Sequence, residues 1–329
     1  RRSTAPGWKP STTGNGRRAA GGGMDGPRKG FGVALGSGGA RGWCHIGALR
    51  ALEERGYVPG GAAGCSMGAL VGAAWAAGKL AELESWARGL TRTQVLSYVD
   101  LGLGQGGLVA GRAVWRILDD LEVPERMEDL PRPFIVLATD METGREIWLS
   151  EGSLRDAVRA SIAIPGVFRP HRIDGRWLLD GGLVNPVPVS AVRALGFRRI
   201  LGINPNARGS QPLWTRPRGG GLWPHLAAPT VVSHLPEGLR GIFATASEAE
   251  REEEVAPDYL QVISIAIDIL TGYLCDTRLA ADPPDALLEA VLGHIGVLDL
   301  DRAAEAIDAG RSLVDRDGDM LARLTPSEA

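Results

Sequence analysis

The chain has 329 residues, of which 44% are hydrophobic, so it is long enough for one large domain or two small ones with a buried core. Its formal net charge is only −3 at pH 7, and this balance of acidic and basic residues gives no support for nucleic-acid binding. No run of about 18 apolar residues predicts a transmembrane helix.

The first 29 residues are rich in Arg, Gly, Ser, Thr and Pro and lack the apolar segment of a secretory signal. They predict a disordered leader over residues 1–29, followed by a single domain over residues 30–325. The chain has three scattered cysteines and five histidines without metal-ligand spacing. We therefore expect a reducing, cytoplasmic location and no disulfide framework, metal or cofactor.

Residues 30–35 form a short apolar run that predicts a buried strand, and residues 43–55 have the periodicity of a helix that ends at Gly56. The glycine loop between them, residues 36–42 (GSGGARG), is suited to an anion because its backbone N–H groups point inward. The loop matches neither the dinucleotide fingerprint, because Arg41 occupies the sixth position, nor a P-loop, because no Gly-Lys-Ser/Thr follows. An oxyanion hole is the remaining functional interpretation, and a tight turn in an ordinary strand–helix unit is the structural alternative.

Residues 64–68 (GCSMG) have the form G-x-S-x-G of a nucleophile elbow, in which a strand turns sharply into a helix with a serine at the corner. The turn requires small residues two positions either side of Ser66, because a Cβ there would collide with neighbouring backbone. Gly64 and Gly68 satisfy that requirement. Because 46 of the 329 residues are glycine, an ordinary glycine-rich turn is an equal alternative for this motif alone.

The elements around the elbow alternate between strand and helix. Residues 57–63 should be the strand that enters it, despite an unfavourable composition, and residues 69–77 a small-residue helix that ends at Gly78. Further on, the sequence predicts mainly helix over residues 79–130, strands over 134–139, 145–149 and 199–203, a hairpin over 171–178 around Asp174-Gly175, and helices over 153–161 and 189–195. This order predicts a three-layer α/β/α domain with a mainly parallel central sheet.

The composition changes over residues 206–259, which are rich in Pro, Gly and Arg and then acidic. We interpret them as a variable surface segment, with a lid or membrane-facing flap as the functional alternative. Residues 260–315 should complete the domain, with a helix from 259 to 274, a strand at 286–288 and a helix from 301 to 314.

Asp180-Gly181-Gly182 would alone be interpreted as a hairpin turn. The glycine loop, the elbow and Asp180-Gly181-Gly182, taken together in this order along the chain, resemble the motifs of the patatin-like phospholipase family, bacterial members in particular. The matching strings also include His45 and Gly47, residues 160–165 (ASIAIP), Phe168, Pro170 and Asn185-Pro186. The resemblance is close over residues 30–205 and looser over 260–315, and it departs at Ser37 and Cys65, where many relatives carry glycine and threonine.

This resemblance implies a Ser–Asp dyad instead of a triad, with Ser66 as the nucleophile and Asp180 as the base. The amides of Gly38, Gly39 and Ala40 would form the oxyanion hole, and Arg41 would order that loop and help hold a phosphate head group. Gly64, Gly68, Gly181 and Gly182 would be structural glycines. The implied substrates are acyl esters of phospholipids or lysophospholipids, met in transient contact with a membrane surface. No metal, cofactor or nucleic acid is implied.

Other assignments of the same residues deserve comparison. A Ser–Asp/Glu–His triad would need a histidine in a loop after a strand, and none of the three histidines that follow Asp180 fits that place. The thiol of Cys65, next to Ser66, is an alternative nucleophile. The two glycines of the elbow, however, are spaced symmetrically about Ser66 and not about Cys65. His45 is expected to pack or hydrogen-bond near the site without a catalytic role.

Three other functions use the same sequence features. An acyltransferase would pass the acyl group from Ser66 to an alcohol in place of water. A non-catalytic lipid-binding or regulatory module could share the fold, although all the expected catalytic residues are present. A nucleotide-binding α/β domain is disfavoured because the last glycine of the loop stands at position 42, one place late.

Overall fold

A computed structural model of the chain describes residues 28–97, 107–109, 112–209 and 259–324. Residues 1–27 of the predicted leader and residues 210–258 of the predicted variable segment lie outside these ranges. Arg28 and Lys29, which the sequence interpretation assigned to the leader, belong to the first strand.

Ten strands lie in the described ranges: β1 (Arg28–Leu35), β2 (Ala62–Cys65), β3 (Gly107–Val109), β4 (Phe134–Asp140), β5 (Glu146–Leu149), β6 (Gly166–Phe168), β7 (His171–Ile173), β8 (Arg176–Asp180), β9 (Phe197–Asn204) and β10 (Ala286–Glu289). The α-helices described are α1 (Cys44–Glu54), α2 (Met67–Ala76), α3 (Leu80–Arg88), α4 (Arg92–Ser97), α5 (Arg112–Asp120), α6 (Leu154–Ser161), α7 (Val189–Ala194), α8 (Tyr259–Ala281), α9 (Ala303–Arg316) and α10 (Gly318–Leu321).

The central sheet has the order β10-β9-β1-β2-β4-β8-β7, and β5 also pairs with β4. The neighbours from β10 to β4 are parallel, whereas β5, β8 and β7 form antiparallel pairs. A separate parallel pair joins β3 to β6. The prediction of a mainly parallel sheet is therefore confirmed, with an antiparallel edge added to it.

Helices cover both faces of this sheet. Val33 and Leu35 of β1 belong to a buried cluster with residues of α1, α2 and α9. Their neighbour Ala34 belongs to a second cluster, which includes residues of α7 and Cys275 of α8. Because successive side chains of a strand point to opposite faces, these two clusters are the two sides of a three-layer α/β/α fold. The predicted layer arrangement is confirmed.

Several predicted elements have different bounds in the structure. The strand entering the elbow is only Ala62–Cys65. Gly60 and Gly61 precede it and pack too closely on the ring of Phe197 for a side chain to fit. The short strands β3 and β6 were not predicted. Helix α8 continues to Ala281, seven residues beyond its predicted end.

Candidate active site

Ser66 occupies the corner between β2 and α2, with φ 54° and ψ −125°. This is a conformation that non-glycine residues rarely adopt, and it is the backbone form expected of a nucleophile elbow. A Cβ on Gly64 would collide with the carbonyl oxygen of Gly68, and a Cβ on Gly68 with that of Leu35. The predicted need for glycine on both sides of the serine is therefore seen in the packing.

The sheet brings the three predicted motifs to one place. Strands β1 and β2 are parallel, so the glycine loop after β1 and the elbow after β2 meet at the same edge of the sheet. Strand β8 runs antiparallel to β4 with Asp180 opposite Ala138, which places Asp180 at that edge as well. The Thr139 hydroxyl donates to the Asp180 carbonyl oxygen at 2.7 Å and fixes this pairing.

The carboxyl group of Asp180 is buried, and only one of its two oxygens has a clear hydrogen-bond donor. Its Oδ1 accepts the Gly182 amide at 2.7 Å. Among the described residues its Oδ2 meets no donor at full hydrogen-bond geometry, although Ser66 is close enough for its hydroxyl to favour the carboxylate form. Burial is the larger influence and raises the pKa of Asp180 from 3.8 to about 6, against the lowering effects of Ser66 and the Gly182 amide. The carboxyl group is thus ionised at neutral pH and still basic.

The glycine loop has fewer backbone amides free to bind an oxyanion than the sequence predicted. Gly39 has φ 54°, and a Cβ there would collide with the carbonyl of Val297. That carbonyl accepts the Ala40 amide at 2.8 Å, and the Arg41 amide donates to the Gly38 carbonyl at 3.2 Å. The expectation for Ala40 is therefore corrected, because its N–H is already used. Within the described ranges, the amides of Gly38 and Gly39 have no protein acceptor.

A cleft opens in front of these groups. Its volume is about 680 Å³ including its solvent-open mouth. Ser66, Asp180, Gly38 and Gly39 lie in its wall beside apolar side chains, which are Ile164, Pro165, Val167, Leu183, Ile263, Ile267, Val297 and Leu298. Helix α8 supplies one side of this wall. The cleft therefore combines a nucleophile, a base and two amide donors with an apolar surface.

Comparison with known proteins identifies the family. The sequence model of the patatin-like phospholipase family matches residues 33–193, which include the glycine loop, the elbow and Asp180. An NTE family protein of Mycobacterium tuberculosis, itself described as uncharacterized, is 33% identical over 320 residues, which cover 85% of this chain and 89% of that protein. The chain belongs to the patatin-like phospholipase family.

Larger proteins share parts of this patatin-like domain. Neuropathy target esterase of Drosophila melanogaster is 30% identical over 254 residues, 72% of this chain but 18% of that protein. Human patatin-like phospholipase domain-containing protein 6 is 32% identical over 191 residues, 56% of this chain and 14% of that protein. The crystal structure of VipD from Legionella pneumophila aligns over 89% of this chain and 77% of its own, at 14% identity and a TM-score of 0.36, which is too low to support an argument.

Arg41 is the buried hub of the glycine loop in this patatin-like fold. Its Nε donates to the Ile295 carbonyl at 2.8 Å, Nη1 to Asn206 Oδ1 at 3.0 Å, and Nη2 to Asp268 Oδ2 at 2.9 Å. The last contact is an ion pair with α8. Each nitrogen of the guanidinium holds a protein acceptor, which supports the predicted role of Arg41 in ordering the loop, whereas its contact with a phosphate head group stays a prediction.

Two further buried side chains hydrogen-bond to the backbone of the site, a contact that the sequence predicted for His45 but not for Ser161. The Ser161 hydroxyl accepts the Ser66 amide at 2.9 Å. His45 Nε2 lies 2.8 Å from the Gly36 carbonyl oxygen, and burial lowers the pKa of the ring to about 4. A carbonyl only accepts, so Nε2 of the neutral ring carries the hydrogen and anchors the start of the glycine loop. Only the family resemblance, through the string that contains Ser161, pointed to that residue.

The Cys65 thiol does not line the cleft. It is fully buried and donates to the carbonyls of Asn185 and Pro186 at 3.4 and 3.3 Å. Burial, and then the charge of Asp180, raises the pKa of this thiol well above its usual value. A buried thiol with a raised pKa is poorly suited to act as a nucleophile at neutral pH, and the assignment of that role to Ser66 stays a prediction.

Neither a metal cluster nor a membrane span stands out in the described part of the chain. No group of three or more His, Cys, Asp or Glu side chains is arranged there to hold a metal ion. None of the described helices combines the length and apolarity needed to cross a bilayer.

Proposed function

We propose that this protein is a serine esterase that hydrolyses acyl esters of lipids, of phospholipase A or lysophospholipase type. Ser66 is the nucleophile and Asp180 the general base. The observation that carries the proposal is the buried carboxyl of Asp180, with pKa raised to about 6 and one unpaired oxygen, beside a serine held in the elbow conformation. Family membership supports lipid hydrolysis as the reaction class.

The reaction can be followed atom by atom. Ser66 Oγ attacks the carbonyl carbon of the ester, and its proton passes to Asp180 Oδ2. The negative charge on the carbonyl oxygen is stabilised by the amides of Gly38 and Gly39. Each such donor contributes about 2.7–4 kcal/mol where it has been measured in a serine protease. The C–O bond breaks, the alcohol leaves with the proton from Asp180, and an acyl-enzyme remains on Ser66.

The second half repeats these steps with water. Asp180 takes a proton from a water molecule as the water oxygen attacks the acyl-enzyme. The ester bond to Ser66 then breaks, Ser66 recovers its proton from Asp180, and the fatty acid is released. The apolar wall of the cleft is suited to the acyl chain.

We also propose that the protein works in transient contact with a lipid surface. Helix α8 contributes Ile263 and Ile267 to the cleft wall. The same helix exposes Val262, Leu270 and Tyr273, whose side chains are 49%, 69% and 63% accessible. Because one helix both lines the cleft and exposes apolar side chains, we propose that α8 docks against lipid.

The decisive test is labelling with a fluorophosphonate probe, which reacts with activated serines. Wild type should label, whereas Ser66→Ala and Asp180→Asn should not. His294→Ala is the matched control, since this half-exposed histidine pairs with Glu305 away from the cleft. Circular dichroism checks that each variant folds. A well-folded wild type that resists the probe and hydrolyses no ester would overturn the proposed function.

A further inference from the structure

A short turn at the end of α6 contacts the backbone of both members of the proposed dyad. The Ser161 hydroxyl accepts the Ser66 amide at 2.9 Å. Two residues later, the Ala163 carbonyl accepts the Asp180 amide at 3.0 Å. Ser66 and Asp180 come from different strands of the sheet. The turn formed by residues 161–163, called here the 161–163 turn, therefore bridges them directly.

The Ser161 hydroxyl is satisfied on both sides. Besides accepting from Ser66, it donates to the Leu137 carbonyl of β4 at 2.5 Å. Gly181, the residue after Asp180, packs against the same carbonyl so closely that a Cβ there would collide with it. Ser161 has no solvent-accessible surface. One buried hydroxyl thus joins the elbow to the middle of β4, at the carbonyl against which Gly181 packs.

This contact matters because the elbow is strained. Ser66 holds a φ of 54°, which non-glycine residues keep only where their surroundings enforce it. Removal of the Ser161 hydroxyl leaves the Ser66 N–H and the Leu137 carbonyl without that partner in a dry interior, where unpaired groups are unfavourable. The elbow can then relax, and the direction of Ser66 Oγ relative to Asp180 and to the amides of Gly38 and Gly39 changes.

We infer that Ser161 is a positioning residue, through which the 161–163 turn sets the geometry of Ser66 relative to Asp180. The inference rests on the proposed function, because it concerns the same dyad. Ser161 itself touches neither the substrate nor the reacting atoms. The turn continues into Ile164 and Pro165 of the cleft wall, so the dyad and the acyl-binding surface share one backbone segment.

Steady-state kinetics of Ser161→Ala on a short-chain p-nitrophenyl ester test this role. We expect kcat to fall on the order of 10- to 100-fold, since a shift of about 1 Å in a reacting group can have that effect. KM should change less than about twofold, and the rate of fluorophosphonate labelling should fall in proportion to kcat. Ser161→Cys keeps a weak donor and acceptor at the same place and should recover part of the lost kcat.

The pH dependence of kcat is a second test, because a loss of stability alone would not shift it. Ser66 lowers the pKa of Asp180, so a displaced Ser66 should shift the acidic limb of the kcat profile to higher pH. Ser153→Ala is the control on the same helix, because Ser153 caps the N-terminus of α6 by accepting the Asp156 amide at 3.2 Å. It should lower the melting temperature and leave kcat and the profile unchanged.

The outcomes separate this inference from the proposed function. An inactive, unlabelled wild type overturns both. An active wild type with a folded Ser161→Ala of unchanged kcat overturns the positioning role alone, as does a kcat loss in Ser153→Ala as large as that in Ser161→Ala. If Ser161→Ala does not fold, Ser161→Cys takes its place, and a kcat equal to wild type again overturns the inference.

Discussion

Asp180 is a carboxyl group placed where its charge is unfavourable. It is 5% exposed, and the pKa of about 6 reflects this burial. A base with a pKa near the working pH combines a large ionised fraction with useful proton affinity. The same burial should make the ionised residue a source of instability, which leads to two predictions with opposite signs for activity and stability.

For activity, we expect kcat/KM on an uncharged short-chain ester to fall about tenfold for each pH unit below about 6. The physical reason is that protonated Asp180 cannot take the proton of Ser66. A stopped assay between pH 4.5 and 8 measures this, with an ester that does not itself titrate. A profile that stays flat from pH 7 to pH 5 would exclude Asp180, at this pKa, as the base.

For stability, we expect Asp180→Asn to stabilise the fold at pH 8 and to have little effect at pH 4. The folded-state pKa of Asp180 is raised above 3.8, so its contribution is fully favourable below about pH 4 and is lost as pH rises through about 6. The difference of about two pH units corresponds to about 3 kcal/mol as an upper bound. Asparagine keeps an acceptor for the Gly182 amide.

Thermal unfolding at both pH values measures this difference. Asp276→Asn, which alters an exposed carboxylate of α8, is the control and should shift the melting temperature little at either pH. Equal destabilisation by Asp180→Asn at pH 4 and pH 8 would mean that the residue serves the fold and not the chemistry.

At the scale of elements, the sequence predicted the parts of the site whose physics is local. A glycine at positions 64 and 68 can be expected from the motif alone, because a Cβ at either position would collide with backbone atoms at the elbow. The fate of the Ala40 amide was not predictable, because its acceptor Val297 lies far away in the sequence. The role of Ser161 was not predictable for the same reason, since its partners Ser66 and Leu137 belong to other elements.

Helix α8 shows a second limit of the sequence. Its apolar run predicted a helix, but not which of its faces would be covered. In the structure Ile263 and Ile267 line the cleft while Leu270 and Tyr273 are exposed. The burial of a helix face depends on its neighbours and not on its own periodicity alone.

The exposed side chains of α8 lead to a prediction about substrate form. Leu270→Ser combined with Tyr273→Ser should reduce hydrolysis of phosphatidylcholine vesicles on the order of tenfold. A tenfold loss corresponds to about 1.4 kcal/mol, which is less than the roughly 1.5–3 kcal/mol of fully burying one large apolar side chain, because a transient lipid contact buries each side chain only in part. Hydrolysis of a dissolved p-nitrophenyl ester should stay unchanged, because the variant leaves the cleft intact. Paired assays on both substrates, with vesicle sedimentation, measure the difference.

Val58→Ser is the control for this experiment, since Val58 is a 53% exposed apolar residue outside α8. Equal losses on vesicles for Val58→Ser and for the α8 variant would show that the effect is a general loss of surface apolarity. An undiminished vesicle rate in the α8 variant would remove α8 as the docking face.

For the whole molecule, the site depends on residues well beyond the stretch that the family model matches. Arg41 binds Ile295 and Asp268, and Ala40 binds Val297, so the glycine loop takes its shape from the C-terminal part of the chain. Helices α1 and α9 cross at very close range. A Cβ on Gly47 would collide with the Ile307 carbonyl.

The α1–α9 crossing provides a prediction about how far one cooperative unit extends. Gly310 packs against the Cys44 carbonyl so closely that no Cβ fits. We expect Gly310→Ala to lower the free energy of unfolding by about 3 kcal/mol or more, at the upper end of overpacking effects, and to weaken fluorophosphonate labelling at urea concentrations near the new unfolding midpoint. Urea unfolding followed by both tryptophan fluorescence and labelling measures the two effects together.

Gly318→Ala is the control, because nothing lies within 4 Å of a Cβ at Gly318 in α10. Alanine is intrinsically favoured over glycine in a helix by about 1 kcal/mol, so this variant should be neutral or slightly more stable. If Gly310→Ala lowers the free energy of unfolding and Gly318→Ala, eight residues away, does not, the destabilisation comes from the α1–α9 contact. If Gly310→Ala unfolds α9 while labelling at Ser66 persists, the C-terminal helices are a separable unit, and the single domain predicted over residues 30–325 is wrong.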